Sequence, residues 1–506
     1  MTTDVMNTST FSEDISVDNE KDETVDNLIE EQKQEVESEK YQFDVIVIGS
    51  GPGGYTSAIR CAQYGKSVAI IERDLIGGHA VNWGCIPLNS MMTSARLIRS
   101  IHESTRYGIN ITSHRIDFSH ITRHRDEAPI QKYTYANVYD TDGRSPYESD
   151  DSSIPIRTET EITGQHIIVA SGVEYELPKF VEINDKRTVD PTQLLWHRNI
   201  PESLIIIGGG VLGCELASLY SHLHSDVILI EKNSRLLKFM DEQVSIAVET
   251  RLKEIGVEII LNANIEQVSN GKVIVQLRPT NTNRTVSASY VVVCTGRKPT
   301  FNYENLEKLG IAIDYERSTI IINEQTCQTS IPTIYACGGI VSSCWSWVPC
   351  AIRQGHLSAN SICKIESDIN ENNRKLYIAN NPAIPFVINV IPAVASVGEI
   401  PKLTNDVLIY IFKFQSNRRA IIDNQTWGFI KMWTTCDEPK RFLAVQLVHE
   451  FAAEIIEYYS MIISLNIPLR DVCLLPFAHP TYTESVKEAC EYVLGQSMNY
   501  EGTYSN

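Results

Sequence analysis

Two stretches of the sequence share one five-part order: an apolar run, a glycine-rich turn, a helical segment, a second apolar run and an acid. The first runs from Asp44 to Glu72 and the second from Ser203 to Glu231, roughly 160 residues further on. In both, the acid lies 18 residues past the last glycine of the turn. Glycines permit a tight turn and let backbone amides approach a pyrophosphate at the positive end of a helix. The order therefore predicts two βαβ units, each binding a dinucleotide.

The second acid bears on which dinucleotide binds. Glu72 and Glu231 are placed to accept a hydrogen bond from a ribose hydroxyl. A carboxylate at Glu231 would repel a 2′-phosphate, although Lys232 and Arg235 would soften that repulsion, so NAD is favoured over NADP. Two dinucleotides imply one prosthetic group and one ligand that exchanges. The candidate glycines of the two turns are Gly49, Gly51, Gly54, Gly208, Gly210 and Gly213.

A rarer motif follows the first unit, where residues 77–89 read GGHAVNWGCIPLN. This segment resembles the redox-active segment GGTCxNxGCxPSK of the flavoprotein disulfide reductases, or pyridine nucleotide-disulfide oxidoreductases. Cys85 stands at the second cysteine of that pattern, which in the family lies beside the flavin. Ala80 stands at the first, substrate-exchanging cysteine, and Asn89 at the lysine. The chain thus resembles this family, and most closely its dihydrolipoamide dehydrogenase group, with a degenerate redox motif.

Other segments match the family in the expected order. Residues 166–172 resemble the strand and turn that return the chain to the flavin domain. Residues 290–299 resemble a strand-to-Gly-Arg turn whose arginine lies near the nicotinamide; a surface ion pair is the alternative role for Arg297. In residues 333–339, Gly339 replaces the aspartate that in the family holds the ribityl chain. Loss of one charge-assisted hydrogen bond, roughly 1.5–3 kcal/mol, predicts weakened but retained FAD binding. The resemblance adds these cofactor contacts: Gly78, Gly172, Glu215, Gly296, Arg297 and Gly339.

The catalytic residues implied by the resemblance are Cys85, His479 and Glu484. His479 and Glu484 match the motif HPTxxE. In the family NADH reduces the flavin, the flavin reduces a disulfide, and the His–Glu pair of the other subunit handles protons at the thiol, which implies a homodimer. Ala80 supplies no sulfur, so no disulfide with Cys85 can form there; a distant partner, Cys344 or Cys350, is an open alternative.

The loss of the family's lysine has a further consequence. In the family this lysine pairs with the glutamate that matches Glu215, and here Asn89 replaces it. A desolvated carboxyl without a nearby cation is expected to have a raised pKa.

The function expected from these residues is an FAD-dependent oxidoreductase that takes hydride from NADH and serves a small-molecule electron acceptor. Diaphorase-type transfer, transhydrogenation or single-thiol chemistry is favoured over lipoamide reduction, since flavin-to-acceptor transfer needs no cysteine. The alternative is a non-catalytic or weakly active dimeric scaffold that kept the family's fold.

Composition narrows the partners and the location. A net charge of -19 opposes nucleic-acid binding, and no apolar run is long enough to span a bilayer. Residues 1–40 are acidic and poor in aromatics, which predicts a disordered tail, with a docking segment as the alternative. They resemble neither a transit peptide nor a signal peptide, so a cytoplasmic location is expected. The cysteines show no C-x-x-C pair and no Cys/His cluster, so no metal site is predicted.

The predicted fold class is α/β, with two Rossmann-like dinucleotide-binding domains and a C-terminal α+β dimerisation domain. A helix is expected over residues 91–102, and residues 110–165 are poorly patterned and shortened relative to the family. The expected division is an acidic tail (1–40), the first part of the FAD domain (41–190), the NAD domain (191–300), a second FAD or central part (301–375) and the dimerisation domain (376–498).

Overall fold

The computed structural model describes residues 41–128, 161–181, 186–341, 347–365, 378–379 and 381–498. The predicted acidic tail and Cys344 lie outside these residues. Within them the α-helices are α1 (Pro52–Gln63), α2 (Gly78–Asn82), α3 (Cys85–Glu103), α4 (Phe118–Glu127), α5 (Pro191–Leu195), α6 (Val211–His222), α7 (Glu242–Glu254), α8 (Tyr303–Lys308), α9 (Val348–Ile362), α10 (Arg418–Ile422), α11 (Ala452–Ser464), α12 (Leu469–Cys473) and α13 (Glu484–Val493). Short 3₁₀ helices cover Ser104–Tyr107 and Phe414–Ser416.

The strands form two parallel sheets, one five-stranded antiparallel sheet and three smaller antiparallel ones among the described residues. Their bounds are β1 (Phe43–Ile48), β2 (Val68–Ile71), β3 (Gly164–Val169), β4 (Val173–Tyr175), β5 (Thr188–Val189), β6 (Ser203–Ile207), β7 (Asp226–Ile230), β8 (Glu258–Ile260), β9 (Ala263–Ser269), β10 (Lys272–Leu277), β11 (Thr282–Ser287), β12 (Tyr290–Val293), β13 (Arg297–Pro299), β14 (Ile313–Asp314), β15 (Thr319–Ile320), β16 (Ile334–Ala336), β17 (Phe386–Ile388), β18 (Val394–Gly398), β19 (Val407–Lys413), β20 (Phe429–Thr435) and β21 (Phe442–Val448).

The first parallel sheet has the strand order β16-β3-β1-β2. Residues 45–47 of its strand β1 are apolar and buried on both faces, as a strand covered on both sides must be. Helices α1 and α9 pack closely beside it because both carry glycine at the contact: a methyl group on Gly355 would lie 2.5 Å from the Gly53 carbonyl oxygen. Strand β16 returns from late in the chain to complete this sheet.

The second parallel sheet has the order β5-β12-β6-β7-β8. Residues 204–206 of its central strand are fully buried. Helix α6 leads from β6 to the next strand, β7, which pairs with β6 in parallel. Two parallel sheets, each built on a strand–turn–helix–strand unit, confirm the predicted pair of Rossmann-like domains.

The C-terminal sheet is antiparallel, in the order β17-β18-β21-β20-β19. Its buried face packs against the apolar side of α11, which includes Ile455 and Tyr459. Helices on one face of an antiparallel sheet form an α+β layer. This is the predicted C-terminal domain, and it carries the His479 segment.

Two local expectations differ from the structure. The helix predicted for 91–102 begins earlier, at Cys85. Pro87 lies in its first turn and is tolerated there because no backbone N–H is needed. The poorly patterned region contains α4, whose N-cap Asp117 accepts from the Ser119 and His120 amides. Residues 129–160 of that region lie outside the described chain. Among the described helices, none is both long and apolar enough to cross a membrane.

Candidate active site

The first glycine turn joins β1 to α1 and leaves space above its backbone. Gly49 has a φ of 99°, which favours glycine. A methyl group on Gly54 would collide with the Gly49 carbonyl oxygen, so the helix can approach the strand only without a side chain there. Nothing lies within 4 Å of a methyl group on Gly51. We call Gly54 a closed position, because a side chain there would collide with backbone, and Gly51 an open position, because a side chain there would meet free space. This combination fits a backbone that packs against its helix and receives a pyrophosphate.

The second turn repeats this arrangement between β6 and α6. Gly208 has a φ of 111°, and a methyl group on Gly213 would collide with the Gly208 carbonyl oxygen. The position of a Gly210 methyl group is again open within 4 Å. Both turns therefore keep the space and the free helix end that a dinucleotide needs.

The two acids bind their own glycine turns. Glu72 Oε2 accepts from the Ser50 amide (2.8 Å) and hydroxyl (2.7 Å), and Glu231 Oε2 accepts from the Gly209 amide (2.6 Å). Desolvation raises the pKa of Glu72, but the hydrogen bonds from Ser50 and from the Asp74 and Arg73 amides together outweigh it and hold the pKa below its usual value. Each acid thus joins the end of the second strand to the turn.

The segment that resembles the redox motif packs directly on the first turn. A methyl group on Gly78 would lie 2.7 Å from the Gly51 Cα, and the Gly77 amide donates to the Ser50 hydroxyl at 3.1 Å. The Asn82 side chain donates to three carbonyls of the preceding residues, those of Leu75, Ile76 and Gly78. Ala80 and Cys85 are therefore held in place relative to the turn.

Cys85 is the first residue of α3 and carries a free thiol. It is exposed to solvent, yet the protein around it desolvates the sulfur enough to raise the pKa of the thiol. The charge of Glu215 raises this pKa further, whereas that of Arg297 lowers it. The net direction favours the protonated thiol, which is the less nucleophilic form. Arg297 itself is exposed on β13. In the antiparallel pair of β13 and β4, its backbone lies opposite that of Tyr175.

A histidine–tyrosine pair, which sequence reasoning missed, lies in the same neighbourhood. His79 Nε2 is 3.1 Å from the Tyr175 hydroxyl, and the two rings meet edge to face. Burial, and then the charge of Arg297, lowers the pKa of His79 to about 4, so its imidazole is neutral. The available signal was His79 itself, which stands at the threonine of the family pattern, next to Ala80.

Glu215 is a buried carboxyl in α6, with 6% exposure. Burial raises its pKa to about 7, in agreement with the expectation from the sequence. Its Oε1 accepts from the Asn389 amide (2.7 Å) and side chain (3.2 Å), which oppose the rise. Asn89, at the lysine position of the family, instead donates to the Cys85 carbonyl oxygen at 2.9 Å.

The predicted histidine–glutamate pair is formed. His479 Nδ1 lies 2.9 Å from Glu484 Oε1, and the Thr481 amide donates to Glu484 Oε2 at 2.8 Å. The His479 side chain is 65% exposed, so it is open to a second subunit. The carboxylate orients the ring, as a general acid–base histidine requires.

The remaining predicted positions lie at turns and strand ends. Gly172 has a φ of 76° and its carbonyl oxygen accepts from the Thr300 amide, while Gly296 follows β12 with a φ of 154°. The neighbouring Ser171 hydroxyl is buried with no hydrogen-bond partner among the described residues, so it can still bind a ligand. Gly339, which follows β16, is partly exposed. Cys350 is buried in α9.

Comparisons with known proteins agree with this architecture. Residues 43–355 match the family profile "Pyridine nucleotide-disulphide oxidoreductase", and residues 384–490 match that family's dimerisation domain. The chain is 30% identical over 476 residues to dihydrolipoyl dehydrogenase of Geobacillus stearothermophilus, covering 90% of this chain and 97% of that protein. It is 27% identical to mercuric reductase of Lysinibacillus sphaericus, covering 88% of this chain and 82% of that protein.

One solved structure with a similar fold is the HOCl-induced flavoprotein disulfide reductase RclA from Escherichia coli. It superposes with a TM-score of 0.69 at 22% identity, covering 88% of this chain and 98% of that one. At this identity the likeness bears on the fold alone.

Proposed function

Because this chain belongs to the pyridine nucleotide-disulphide oxidoreductase family, we propose that it is an FAD-dependent oxidoreductase that uses NADH without a dithiol–disulfide couple. The observation that carries the proposal is Ala80, which replaces the first redox cysteine while both glycine turns keep their open and closed positions. The electron acceptor is a small molecule such as a quinone, and the working unit is a homodimer formed through the C-terminal domain.

The first turn would hold FAD and the second NAD. Gly51 and Gly210 leave room for the two pyrophosphates, and the Ser171 hydroxyl has a hydrogen bond to give beside the first turn. FAD, when bound, supplies a hydride acceptor that passes electrons onward, chemistry that belongs to the cofactor. The buried acid Glu231 favours the ribose hydroxyl of NAD over a 2′-phosphate.

The side chains near Cys85 favour transfer at the cofactor over thiol chemistry. A raised pKa keeps the Cys85 thiol protonated, and no second sulfur stands at position 80. His79 is neutral and bonded to Tyr175, so it is a poor source of positive charge for a thiolate. Lipoamide reduction needs a nucleophilic thiol and is therefore disfavoured. Transhydrogenation and single-thiol chemistry are the two alternatives to quinone reduction within this proposal, and His479 and Glu484 would transfer the protons.

A non-catalytic dimeric scaffold is the second candidate. Gly339 favours it, because a glycine provides no side chain to bind the ribityl chain. The loss of that hydrogen bond weakens FAD binding by about one to two decades in affinity. The open glycine turns oppose this candidate.

The visible spectrum of the purified protein tests the proposal. We expect a yellow preparation, or one that becomes yellow with added FAD, whose flavin absorbance bleaches on addition of NADH. A protein that stays colourless with excess FAD would establish the scaffold instead. Heat-released flavin, identified chromatographically, serves as the control for the bound cofactor.

Cys85→Ser separates cofactor chemistry from thiol chemistry. We expect NADH–quinone turnover to stay within about twofold of the unchanged protein, because serine nearly keeps the size of the side chain and flavin-to-acceptor transfer uses no thiol. Assays with a quinone and with lipoamide, run in parallel, make the measurement, and Cys436→Ser is the control for general thiol loss. Lipoamide turnover by the unchanged protein that Cys85→Ser abolishes would contradict the proposal.

A further inference from the structure

Three histidines distant in sequence meet on one surface of the fold. His102 lies in the last turn of α3, His114 in the segment that follows, and His224 just after α6. Their ring nitrogens, one from each side chain, all lie within 4.8 Å of one another. We propose that these three side chains, here called the histidine triad, bind a divalent transition-metal ion of the zinc class.

The ligand chemistry of the triad suits such an ion. Imidazole nitrogen is a preferred ligand of Zn²⁺, Cu²⁺ and Ni²⁺, and three histidines with a water complete a tetrahedral zinc site. The ring centroid of His102 lies 5.4 Å from that of His114 and 5.9 Å from that of His224. All three rings are exposed, and within the described chain none donates or accepts a hydrogen bond with protein. Small side-chain rotations can therefore bring the nitrogens to bonding distance, about 2.0–2.1 Å from a zinc ion.

The backbone around His224 holds its ring at the end of a helix. His224 has a φ of 68°, a left-handed conformation that favours glycine. The His224 amide donates to the Ser221 carbonyl oxygen, and the Ser225 amide to that of Tyr220, which closes a tight helix end. A histidine thus occupies a position at which a helix commonly ends with glycine.

Helix ends also set the electrostatics of the triad. His102 and His224 lie at the C-terminal ends of α3 and α6, where the partial negative charge of the last carbonyls favours a cation. The buried His222 lies nearby, but its Nδ1 is 2.7 Å from the Ser218 carbonyl oxygen, and the cation Arg99 lies three residues before His102 on α3. Arg99 is already paired with Glu103 and Glu450, so its charge is largely neutralised.

The position of the triad indicates a structural ion. Helix α3 has 19 residues, so its two ends are about 28 Å apart, and Cys85 lies at the opposite end from His102. Helix α6, the other helix that the ion would join, carries Glu215. The ion would therefore clamp the far ends of the two helices that begin at the candidate active site. This inference does not depend on the proposed function.

Zinc titration of the full-length protein, free of any histidine tag, tests the triad. We expect isothermal titration calorimetry with zinc chloride to show one binding event that His102→Asn, His114→Asn and His224→Gly each weaken. Changes in outer-shell partners alone weaken metal binding 10–100-fold, so loss of a direct ligand should cost at least about tenfold. Glycine suits the backbone at position 224, so that variant keeps the fold. The exposed His124, changed to asparagine, is the matched control and should leave the affinity unchanged.

A cobalt titration distinguishes the triad from the cysteines. With Co²⁺ in place of Zn²⁺, we expect visible d–d absorption from nitrogen and oxygen ligands, absent from the variant with all three triad substitutions. Zinc should also raise the unfolding temperature of the unchanged protein and not of that variant. Equal zinc affinity in the two proteins, or a thiolate-to-cobalt charge-transfer band that persists in the triple variant, would place the ion elsewhere and overturn the proposal.

Discussion

Gly213→Ala is expected to lower the catalytic efficiency with NADH by at least about 100-fold, the cost of misplacing a bound reactant by about 1 Å. The added methyl group would collide with the Gly208 carbonyl oxygen, a backbone atom that no rotamer change can move. Helix α6 would have to shift away from β6, carrying Glu215 and the open backbone at Gly210 with it. NADH affinity by fluorescence quenching and turnover with a quinone are the measurements.

The same turn provides the matched control. Gly210→Ala places a methyl group in open space, with nothing within 4 Å, so we expect a normally folded protein. If that space receives the pyrophosphate, Gly210→Ala should still bind NADH more weakly. Flavin content should be retained in both variants, because the first turn is unchanged. NADH binding at full strength in Gly213→Ala would show that the nucleotide does not use this turn.

Glu215→Gln is expected to stabilise the protein at alkaline pH and to have little effect in acid. The pKa of Glu215 is raised from 4.5 to about 7 in the folded chain, so the folded state binds the proton more tightly than the unfolded state. That contribution is complete below the unfolded value and is lost as the pH rises through about 7. The loss amounts to about 3 kcal/mol. Glutamine stays neutral throughout and still accepts from Asn389, so it avoids this loss.

Urea unfolding of the unchanged protein and the variant, at about pH 4 and about pH 8, measures the difference. We expect nearly equal stability at the lower pH and an advantage of about 3 kcal/mol for Glu215→Gln at the higher pH. Infrared difference spectra should show a protonated carboxyl that titrates near neutrality and is absent from the variant. The exposed Glu266, changed to glutamine, should alter neither profile. An unchanged advantage at both pH values would contradict the assignment.

Local patterns in the sequence predicted what depends on neighbouring residues. The glycine turns, the parallel strands on either side and the histidine–glutamate pair are each encoded within about 30 residues, and the unit that they form is short-range. The helix predicted from residue 91 begins at Cys85, and Pro87 is compatible with this earlier start because a first-turn proline has no amide to lose.

Contacts between distant residues could not be predicted in this way. Asn389 binds Glu215 across 174 positions of the chain, and no spacing rule marks it. The pairing of His79 with Tyr175 depends on β4 lying beside the redox segment. The histidine triad contains no recognisable metal motif in the sequence, since its members gather only when α3 and α6 end on the same surface.

Both carboxylate oxygens of Glu231, the acid of the second nucleotide-binding unit, accept hydrogen bonds from the protein. Oε2 of Glu231 accepts from the Gly209 amide. Oε1 accepts from both the backbone amide (2.8 Å) and the side-chain amide (2.6 Å) of Asn233. A carboxylate has about four acceptor positions, and three are used here, so Oε2 can still accept from a sugar hydroxyl without loss of a donor already in position. The Asn233 side chain is itself held, because its oxygen accepts from Lys238 Nζ at 3.3 Å. The carboxylate is therefore already oriented before a nucleotide arrives, and each binding and release would make and break a single hydrogen bond at this acid.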